Sequence, residues 1–402
     1  MKHTHYYIVY AILSALLAVF PCHAYEAEGD TTATGHYVHQ ITFDYKPGAI
    51  LHTNEFLRGG NSEVRTMNHN MSYHLKYAFS APEQSREARI YRDAYQGIGI
   101  SYDDFNHQLG NPVSVYLLQG ARIASFGSRV SLNYEWNLGL AFGWHPYDQE
   151  SNPDNHVIGS KVTAYIGLDL YARCILSRHF DVKLGIGAAH YSNGNTQYPN
   201  LGLNTAQLNV GATYYINRQA DRLLHRHEAL PRVDHGIVYD LVLFGAWRQR
   251  GIYEDGYPYA LNGKTAVMGF NFTPMYTLNH WLRLGASLDG IYDRTANLVY
   301  DVEAPVNKYN DCYWQRSAAK QMTLGVSARV EFSMPYFDIN FGVGRNFLNG
   351  KNEFGGMYEV LALKMHVTRR AMLHIGYSLK DFHTPRNLML GVGWRFGRVG
   401  QR

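Results

Sequence analysis

A strict alternation of apolar and polar residues is the feature that most limits the possible folds of this chain. It is clearest between residues 180 and 190. One face carries Phe180, Val182, Leu184, Ile186 and Ala188, and the other carries Asp181, Lys183, Gly185, Gly187 and Ala189. A period of two residues predicts a β-strand with one apolar face.

The same alternation returns along the whole chain and predicts an all-β protein of roughly sixteen strands. The predicted strands lie near 36–46, 69–80, 94–104, 112–124, 128–143, 160–175, 179–192, 204–217, 236–249, 264–278, 281–292, 317–333, 335–346, 357–368, 371–380 and 387–397. Charged residues and glycines gather on the second face of these strands, which is typical of a barrel lumen.

The connections between the strands alternate in length. Tight turns are predicted at 126–127, 177–178, 279–280, 334–335 and 369–370, and long polar loops at 47–66, 144–158, 193–203, 250–262 and 293–316. Short periplasmic turns and long external loops are typical of an antiparallel outer-membrane β-barrel. The alternative is a soluble secreted β-protein, because a sandwich can show the same alternation.

Composition favours the barrel. Charged residues are 17% of the chain and aromatic residues 14%, with 32 tyrosines. Past residue 24, no apolar run approaches the roughly 20 residues of a membrane helix. Trp136, Trp144, Trp281 and Trp394 are predicted to anchor the barrel at the membrane interfaces. The net charge of +4 gives no reason to expect a nucleic-acid partner.

The first 24 residues have the pattern of a cleaved secretory signal. Lys2 precedes an apolar run over 7–20, and Cys22-His23-Ala24 ends in a small residue at the cleavage position. The remaining cysteines are Cys174, in a predicted strand, and Cys312, in a predicted loop, so no structural disulfide is expected.

One connection departs from the alternation of lengths. Residues 218–234 are long and charged, yet they fall on the side of the short turns. They divide the mature chain into 25–217, which carries the candidate site, and 235–402, a second half of unknown role. The chain is therefore either one closed barrel or two eight-stranded barrels in tandem. Tandem barrels are uncommon, which slightly favours the single barrel.

Three polar side chains lie at the loop end of two apolar strand faces. The register of the strand near 179–192 puts His190 and Ser192 outward, and the next strand puts Asn204 on its apolar face. Because loop 193–203 is one of the long loops, the three residues are expected at the external rim, facing lipid. A polar group on an apolar face is costly unless it is satisfied or used.

These residues have the types needed for acyl transfer. Ser192 as nucleophile, His190 as general base and Asn204 as the orienting partner of His190 would form a Ser-His-Asn triad. Asn193, Gly194 and Asn195 follow the serine and are candidate oxyanion donors. A lone His-x-Ser is usually without function, but the rim position and the facing asparagine favour a site. No cofactor and no metal are expected.

At these positions the chain resembles the lipid A 3-O-deacylase (PagL) family. The resemblance rests on His190-x-Ser192-Asn193, on Pro199-Asn200-x-Gly202 and on a glycine-bearing final strand. It implies an eight-stranded outer-membrane barrel that removes an ester-linked acyl chain from lipopolysaccharide. The family typically has Glu where this chain has Asn204, which predicts a slower enzyme.

The triad is also similar to that of outer-membrane phospholipase A, a twelve-stranded enzyme that uses calcium. The Pro-Asn-x-Gly segment favours the deacylase. A third alternative is a non-catalytic porin or surface barrel with a degenerate site. Lipid A, lipopolysaccharide and outer-membrane lipids are the expected partners, and a homodimer is left open. Neither resemblance extends to residues 235–402.

Overall fold

The structure is a computed structural model that describes most of the chain. The described residues are 36–82, 85–223, 230–254, 257–260, 263–296, 299–300, 313–314, 317–349, 354–382 and 384–397. The predicted signal at 1–24 and Cys312 lie outside them.

The first half of the chain forms a closed barrel of eight antiparallel strands. They are β1 (Val38–Ile50), β2 (His69–Ser80), β3 (Tyr95–Asp104), β4 (Gly110–Phe126), β5 (Val130–Trp144), β6 (Val162–Ile175), β7 (Phe180–Ser192) and β8 (Leu203–Tyr215). The barrel closes because β1 pairs with both β2 and β8. Two short helices, α1 (Glu55–Arg58) and α2 (Arg86–Ile90), lie in its connections.

The second half forms another closed barrel of eight strands. They are β9 (Ile237–Arg248), β12 (Thr265–Thr277), β13 (Leu282–Asp293), β16 (Met322–Ser333), β17 (Phe337–Leu348), β18 (Met357–His366), β19 (Ala371–Lys380) and β20 (Thr384–Gly397). Its external loops hold two small hairpins, β10 (Gly251–Glu254) with β11 (Tyr257–Ala260) and β14 (Val299–Tyr300) with β15 (Tyr313–Trp314), and a 3₁₀ turn, Ala318–Lys320.

The all-β prediction is confirmed, but the preference for a single barrel is wrong and the tandem alternative holds. Alternation reports the two faces of each strand and not which strands pair at closure, so it could not separate the two. The pairing of β8 with β1 and of β20 with β9 decides the matter.

One long connection was not predicted, and one loop boundary differs from its prediction. The segment 81–94, which contains α2, is a second long connection on the short-turn side. The first external loop was predicted to begin at residue 47. It begins at residue 51 instead, and Pro47 lies inside β1. Pro47 pairs with Met71 of β2, and the ladder from β1 to β8 skips from Tyr45 to Gly48. Proline lacks the N–H that a ladder on both sides needs.

The first barrel has an apolar outside and a charged, paired interior. On β7, Leu184 and Ile186 are 62% and 60% exposed on the outer face. In the lumen, Asp44 forms ion pairs with Lys76 at 2.6 Å and with Lys183 at 2.8 Å. Lys46 pairs with Asp169 at 2.7 Å, and Lys76 also contacts Glu135. Buried charges persist only when they are paired in this way.

The second barrel has its own network of buried charges. Arg395 contacts Asp240 at 2.6 Å and Glu331 at 2.8 Å. Lys364 bridges the same two carboxylates, at 2.7 Å to Asp240 and 2.6 Å to Glu331. Eight strands leave an interior just wide enough for side chains to fill.

The two barrels pack against each other through an apolar contact. The indole of Trp136 on β5 meets the ring of Phe337 on β17 edge-to-face at 5.2 Å. Phe79 and Tyr336 meet at 6.0 Å. Trp136 is therefore a barrel–barrel contact and not an interfacial anchor, although it faces outward as predicted.

Of the other predicted anchors, Trp144 also differs. It points into the first barrel, where its Nε1–H donates to Thr163 at 3.0 Å. Trp281 and Trp394 are exposed on the outside of the second barrel. The described residues give no support for the homodimer that the sequence left open. Among the same residues, no helix is long and apolar enough to cross a membrane.

We predict that Lys364→Met destabilises the second barrel by about 3–5 kcal/mol, because it leaves Asp240 and Glu331 with one cation fewer in a buried network. Urea unfolding in detergent micelles, followed by tryptophan fluorescence and by gel mobility of unheated samples, measures the change. The control is Arg58→Met, which removes an ion pair between Arg58 and Glu55. Their side chains are 55% and 83% exposed, so the free energy of unfolding should change by less than about 1 kcal/mol. Equal stability of the two variants would contradict the account of the lumen.

Candidate active site

The candidate site lies at the external ends of β6, β7 and β8. His190 pairs with Asn204 across the β7–β8 hairpin, and Ser192 pairs with Ala164 of β6. His190 and Ser192 alternate with the buried residue Tyr191, so they face outward, and both are half-buried. The predicted register and rim position of these residues are confirmed.

The imidazole of His190 is held by Asn204. His190 Nδ1 lies 2.7 Å from Asn204 Oδ1. Because an amide oxygen can only accept, Nδ1 carries the proton in this contact and Nε2 keeps its lone pair. The hairpin thus fixes the tautomer that a general base requires.

The hydroxyl of Ser192 is the acceptor of two hydrogen bonds. The backbone N–H of Gly194 donates to Ser192 Oγ at 3.1 Å, and Asn200 Nδ2 donates to it at 2.9 Å. Within the described residues, no hydrogen bond joins His190 to Ser192. Catalytic hydrogen bonds often tighten only when substrate is bound.

The three candidate oxyanion donors are largely engaged within the loop. Asn193 donates its backbone N–H to Asn200 Oδ1 at 3.0 Å and its side chain to the Gln197 carbonyl at 2.9 Å. The side chain of Asn195 accepts from Asn200 at 3.3 Å. Of the three, only Gly194 directs a donor at Ser192. Asn200, which the sequence analysis includes only as part of the Pro-Asn-x-Gly segment, is hydrogen-bonded to Ser192, Asn193 and Asn195.

The segment after Pro199 closes over the imidazole. Gly202 has φ +76°, and a Cβ built on it would lie 3.1 Å from His190 Cε1 and 3.8 Å from Nε2. Its N–H donates to the Val157 carbonyl at 3.1 Å, and Leu201 donates to His156 at the same distance. The loop after β5 therefore braces the site from one side.

The second barrel braces the site from the other side. Asn195 Nδ2 donates to the Pro385 carbonyl at 3.1 Å, and the Asn195 carbonyl accepts the N–H of Gln249 at 3.0 Å. A Cβ on Gly194 would lie 3.4 Å from the Tyr377 ring and 3.5 Å from Leu388. Sequence reasoning missed these contacts, because nothing in the chain indicates which strand of one barrel faces the other.

No group of three or more His, Cys, Asp or Glu side chains in the described part of the chain is arranged to hold a metal ion. The polar groups around Ser192 are amides, which donate to or accept from a substrate without binding a cation tightly.

Two closed barrels with apolar outer surfaces, charged lumens and long loops on one side define an outer-membrane β-barrel protein. The first barrel is similar to a particular family: residues 71–213 match the model described as lipid A 3-O-deacylase (PagL). Residues 237–398 match the model described as acyloxyacyl hydrolase, C-terminal domain (PagL_C). The resemblance predicted from the His-x-Ser and Pro-Asn-x-Gly segments is thereby confirmed, and the second half also has a family match, which sequence reasoning did not find.

Several solved structures match this chain, all at low sequence identity and low TM-score. A structure of the outer membrane enzyme PagL is 15% identical, with a TM-score of 0.29, and covers 44% of this chain and 99% of its own. Neisserial surface protein A is 9% identical, with a TM-score of 0.30, and covers 44% and 96%. Omp33 of Acinetobacter baumannii is 7% identical, with a TM-score of 0.17, and covers 89% and 99%. No curated protein matches the sequence.

We predict that cysteines at positions 195 and 385 can be joined by a short thiol-reactive crosslinker, because Asn195 and Pro385 share a hydrogen bond across the two barrels. The test uses Cys174→Ser and Cys312→Ser as background and a protease site inserted within 218–234. After cleavage, crosslinked halves stay together on a denaturing gel. The control pairs Asn195→Cys with Val326→Cys, because Val326 is 54% exposed on β16, a strand that pairs with neither β9 nor β20. Equal crosslinking of both pairs would exclude the observed contact.

Proposed function

We propose that this protein is a serine esterase that hydrolyses an ester-linked acyl chain of lipid A in the outer membrane. The observation that carries the proposal is the 2.7 Å contact between His190 and Asn204 at a lipid-facing rim, with Ser192 two residues further along the same strand face. The match of the first barrel to the lipid A 3-O-deacylase family supports the same substrate class.

In the proposed mechanism, Ser192 Oγ attacks the ester carbonyl while His190 Nε2 takes the hydroxyl proton. The imidazolium that forms then protonates the leaving alkoxide, and water repeats the sequence to release the fatty acid. Asn204 keeps Nδ1–H directed at its amide oxygen, so Nε2 stays turned toward the reaction. An amide offers no full charge to the imidazolium, which makes this triad slower than one with a carboxylate.

Two hydrogen-bond donors that could stabilise the negative charge of the transition state lie close to Ser192. The Gly194 N–H and the Asn200 amide already lie 3.1 and 2.9 Å from Ser192 Oγ. A small shift of Ser192 toward the substrate frees both donors for the carbonyl oxygen. We therefore propose Gly194 and Asn200 as the main oxyanion donors, with Asn193 and Asn195 holding the loop that carries them.

The surroundings of the site suit a lipid substrate. Below His190 on the same face lie Ile186 and Leu184, each more than half exposed in the isolated protein. In a membrane this surface contacts acyl chains, so a chain of lipid A could lie along β7 with its ester at the height of Ser192. The headgroup would then sit at the rim beside the external loops.

The second candidate is a phospholipase A, which Asn204 favours because that enzyme family uses a Ser-His-Asn triad. The eight strands of the site-bearing barrel agree better with the deacylase family than with the twelve strands of the phospholipase. A porin is disfavoured, since both lumens hold networks of buried, paired charges and an eight-stranded barrel leaves little room beyond its own side chains. Mass spectrometry of lipid A and lysophospholipid assays, with and without calcium, distinguish these functions.

Ser192→Ala and His190→Ala should each lower deacylation by about 10⁴-fold or more, and the double variant should lose no more than either alone, because the two act as one unit. Asn204→Ala should cost less, about 10- to 100-fold, since only imidazole alignment is lost. Asn204→Glu should keep or raise activity. The measurement is loss of one hydroxyacyl chain from lipid A by mass spectrometry.

The matched control is His179→Ala, which removes a histidine bonded through Nδ1 to the Tyr215 carbonyl at the opposite end of the same hairpin. It should leave activity unchanged. Full activity of Ser192→Ala in a protein that keeps the gel mobility of a folded barrel would show that the mechanism is wrong.

Gly202→Ala should lower activity by about 100-fold, because the new Cβ would displace the imidazole and a displacement of about 1 Å can cost that much. Gly127→Ala is the matched control: its φ of +71° is similar, but a Cβ there meets nothing within 4 Å. Both variants should lose about 1–2 kcal/mol of stability from backbone strain. If they lose the same activity, the closeness of Gly202 to His190 has no role in the reaction.

A further inference from the structure

A cavity of about 170 Å³ opens at the external mouth of the second barrel. Its walls include Arg248 at the end of β9, Arg250 two residues later, Lys380 at the end of β19, and Arg386 near the start of β20. Arg250 also donates to the Thr295 carbonyl at 2.6 Å. We call this the basic cavity. A single water needs roughly 10–15 Å³, so the basic cavity has room for a small anion with its hydration.

Positive charge dominates the basic cavity. Among the described lining residues, the only carboxylate is Asp293, and it is paired with Arg248 at 2.8 Å. Arg386 is 9% exposed, and its guanidinium lies over the Phe354 ring at 5.4 Å. A concave site lined by one sign of charge and backed by apolar walls focuses its potential on a ligand of the opposite sign.

The basic cavity is joined directly to the candidate active site by Asn195. The Asn195 carbonyl accepts the N–H of Gln249, which lies between Arg248 and Arg250. Its side chain donates to the carbonyl of Pro385, the residue before Arg386. Two walls of the basic cavity are therefore hydrogen-bonded to one residue, and that residue lies three positions after Ser192.

The position also agrees with the depth of a lipid headgroup. Arg248, Lys380 and Arg386 lie at the external ends of their strands, at the same rim as Ser192. A lipid whose acyl ester reaches Ser192 has its headgroup at this level. Guanidinium groups bind phosphate oxygens through paired, charge-assisted hydrogen bonds, and a lysine adds a point charge.

We propose that the basic cavity binds a phosphate group on the headgroup of the lipid whose acyl chain is cut at Ser192. This rests on the proposed function and assigns a role to the second barrel: it selects phosphorylated glycolipids and sets their position, while the first barrel carries the nucleophile.

The test measures binding separately from catalysis, using the full chain with Ser192→Ala in detergent micelles. Titration calorimetry compares lipid A that carries its phosphates with lipid A treated with a phosphatase. Arg250→Gln together with Lys380→Gln should weaken binding of the phosphorylated lipid by about 10- to 100-fold and leave binding of the dephosphorylated lipid unchanged. Arg248 is kept, because its removal would leave Asp293 buried without that cation.

The matched control is Arg58→Gln together with Lys161→Gln, two exposed cations on the external side of the first barrel. Gel mobility of unheated samples verifies that both double variants are folded. If the double variant of Arg250 and Lys380 does not fold, Arg386→Gln replaces it. Inorganic phosphate should compete only at much higher concentration than the lipid. Competition by inorganic phosphate as strong as that by phosphorylated lipid would overturn the headgroup assignment and indicate a site for free anions.

The two hypotheses fail in different ways. If the basic-cavity variant binds both lipids like the control while Ser192→Ala abolishes deacylation, the basic cavity is not a phosphate subsite and the esterase proposal stands. If binding depends on phosphate and on the basic cavity but no acyl chain is released by the native protein, the subsite stands and the esterase proposal fails.

Discussion

Closure of each eight-stranded sheet on itself is the constraint on which the rest of this structure depends. Once a sheet closes, every second side chain must enter a narrow lumen and the others must face outward. The lumen charges are therefore tolerated only as networks, such as Asp240 with Arg395 and Lys364. The same alternation turns His190 and Ser192 outward at the rim. The position of the candidate site is thus a consequence of closure and register.

The second barrel contacts the loop that carries the candidate site. In a single barrel, the loop after β7 would be held by its own hydrogen bonds and by the loop after β5. Here Asn195 is also bonded to Pro385 and Gln249, and Gly194 lies against Tyr377 and Leu388. Loop geometry around a nucleophile controls where its oxyanion donors point. The second barrel therefore contributes to the same site although it lies far away in sequence.

Asn200 and Asn204 make most of the side-chain hydrogen bonds that hold the candidate site. Asn204 holds the imidazole of His190, and Asn200 ties Ser192 to Asn193 and Asn195. Both use neutral amides, which are less costly than charges at a half-buried rim next to lipid. Gly202 completes the arrangement because any larger residue at that φ would press on the imidazole. The site is held by neutral hydrogen bonds of 2.7 to 3.3 Å at the end of the β7–β8 hairpin.

The sequence alone determined the strands, their faces and the rim position of His190, Ser192 and Asn204, because a period of two residues and the alternation of loop lengths are local properties. It could not decide between one barrel and two, since the pairs β8–β1 and β20–β9 join strands far apart in the chain. It also could not find Pro385, Gln249 or the basic cavity beside Asn195. Those contacts depend on which outer face of one barrel packs on the other, and apolar faces that suit lipid suit a second barrel equally well.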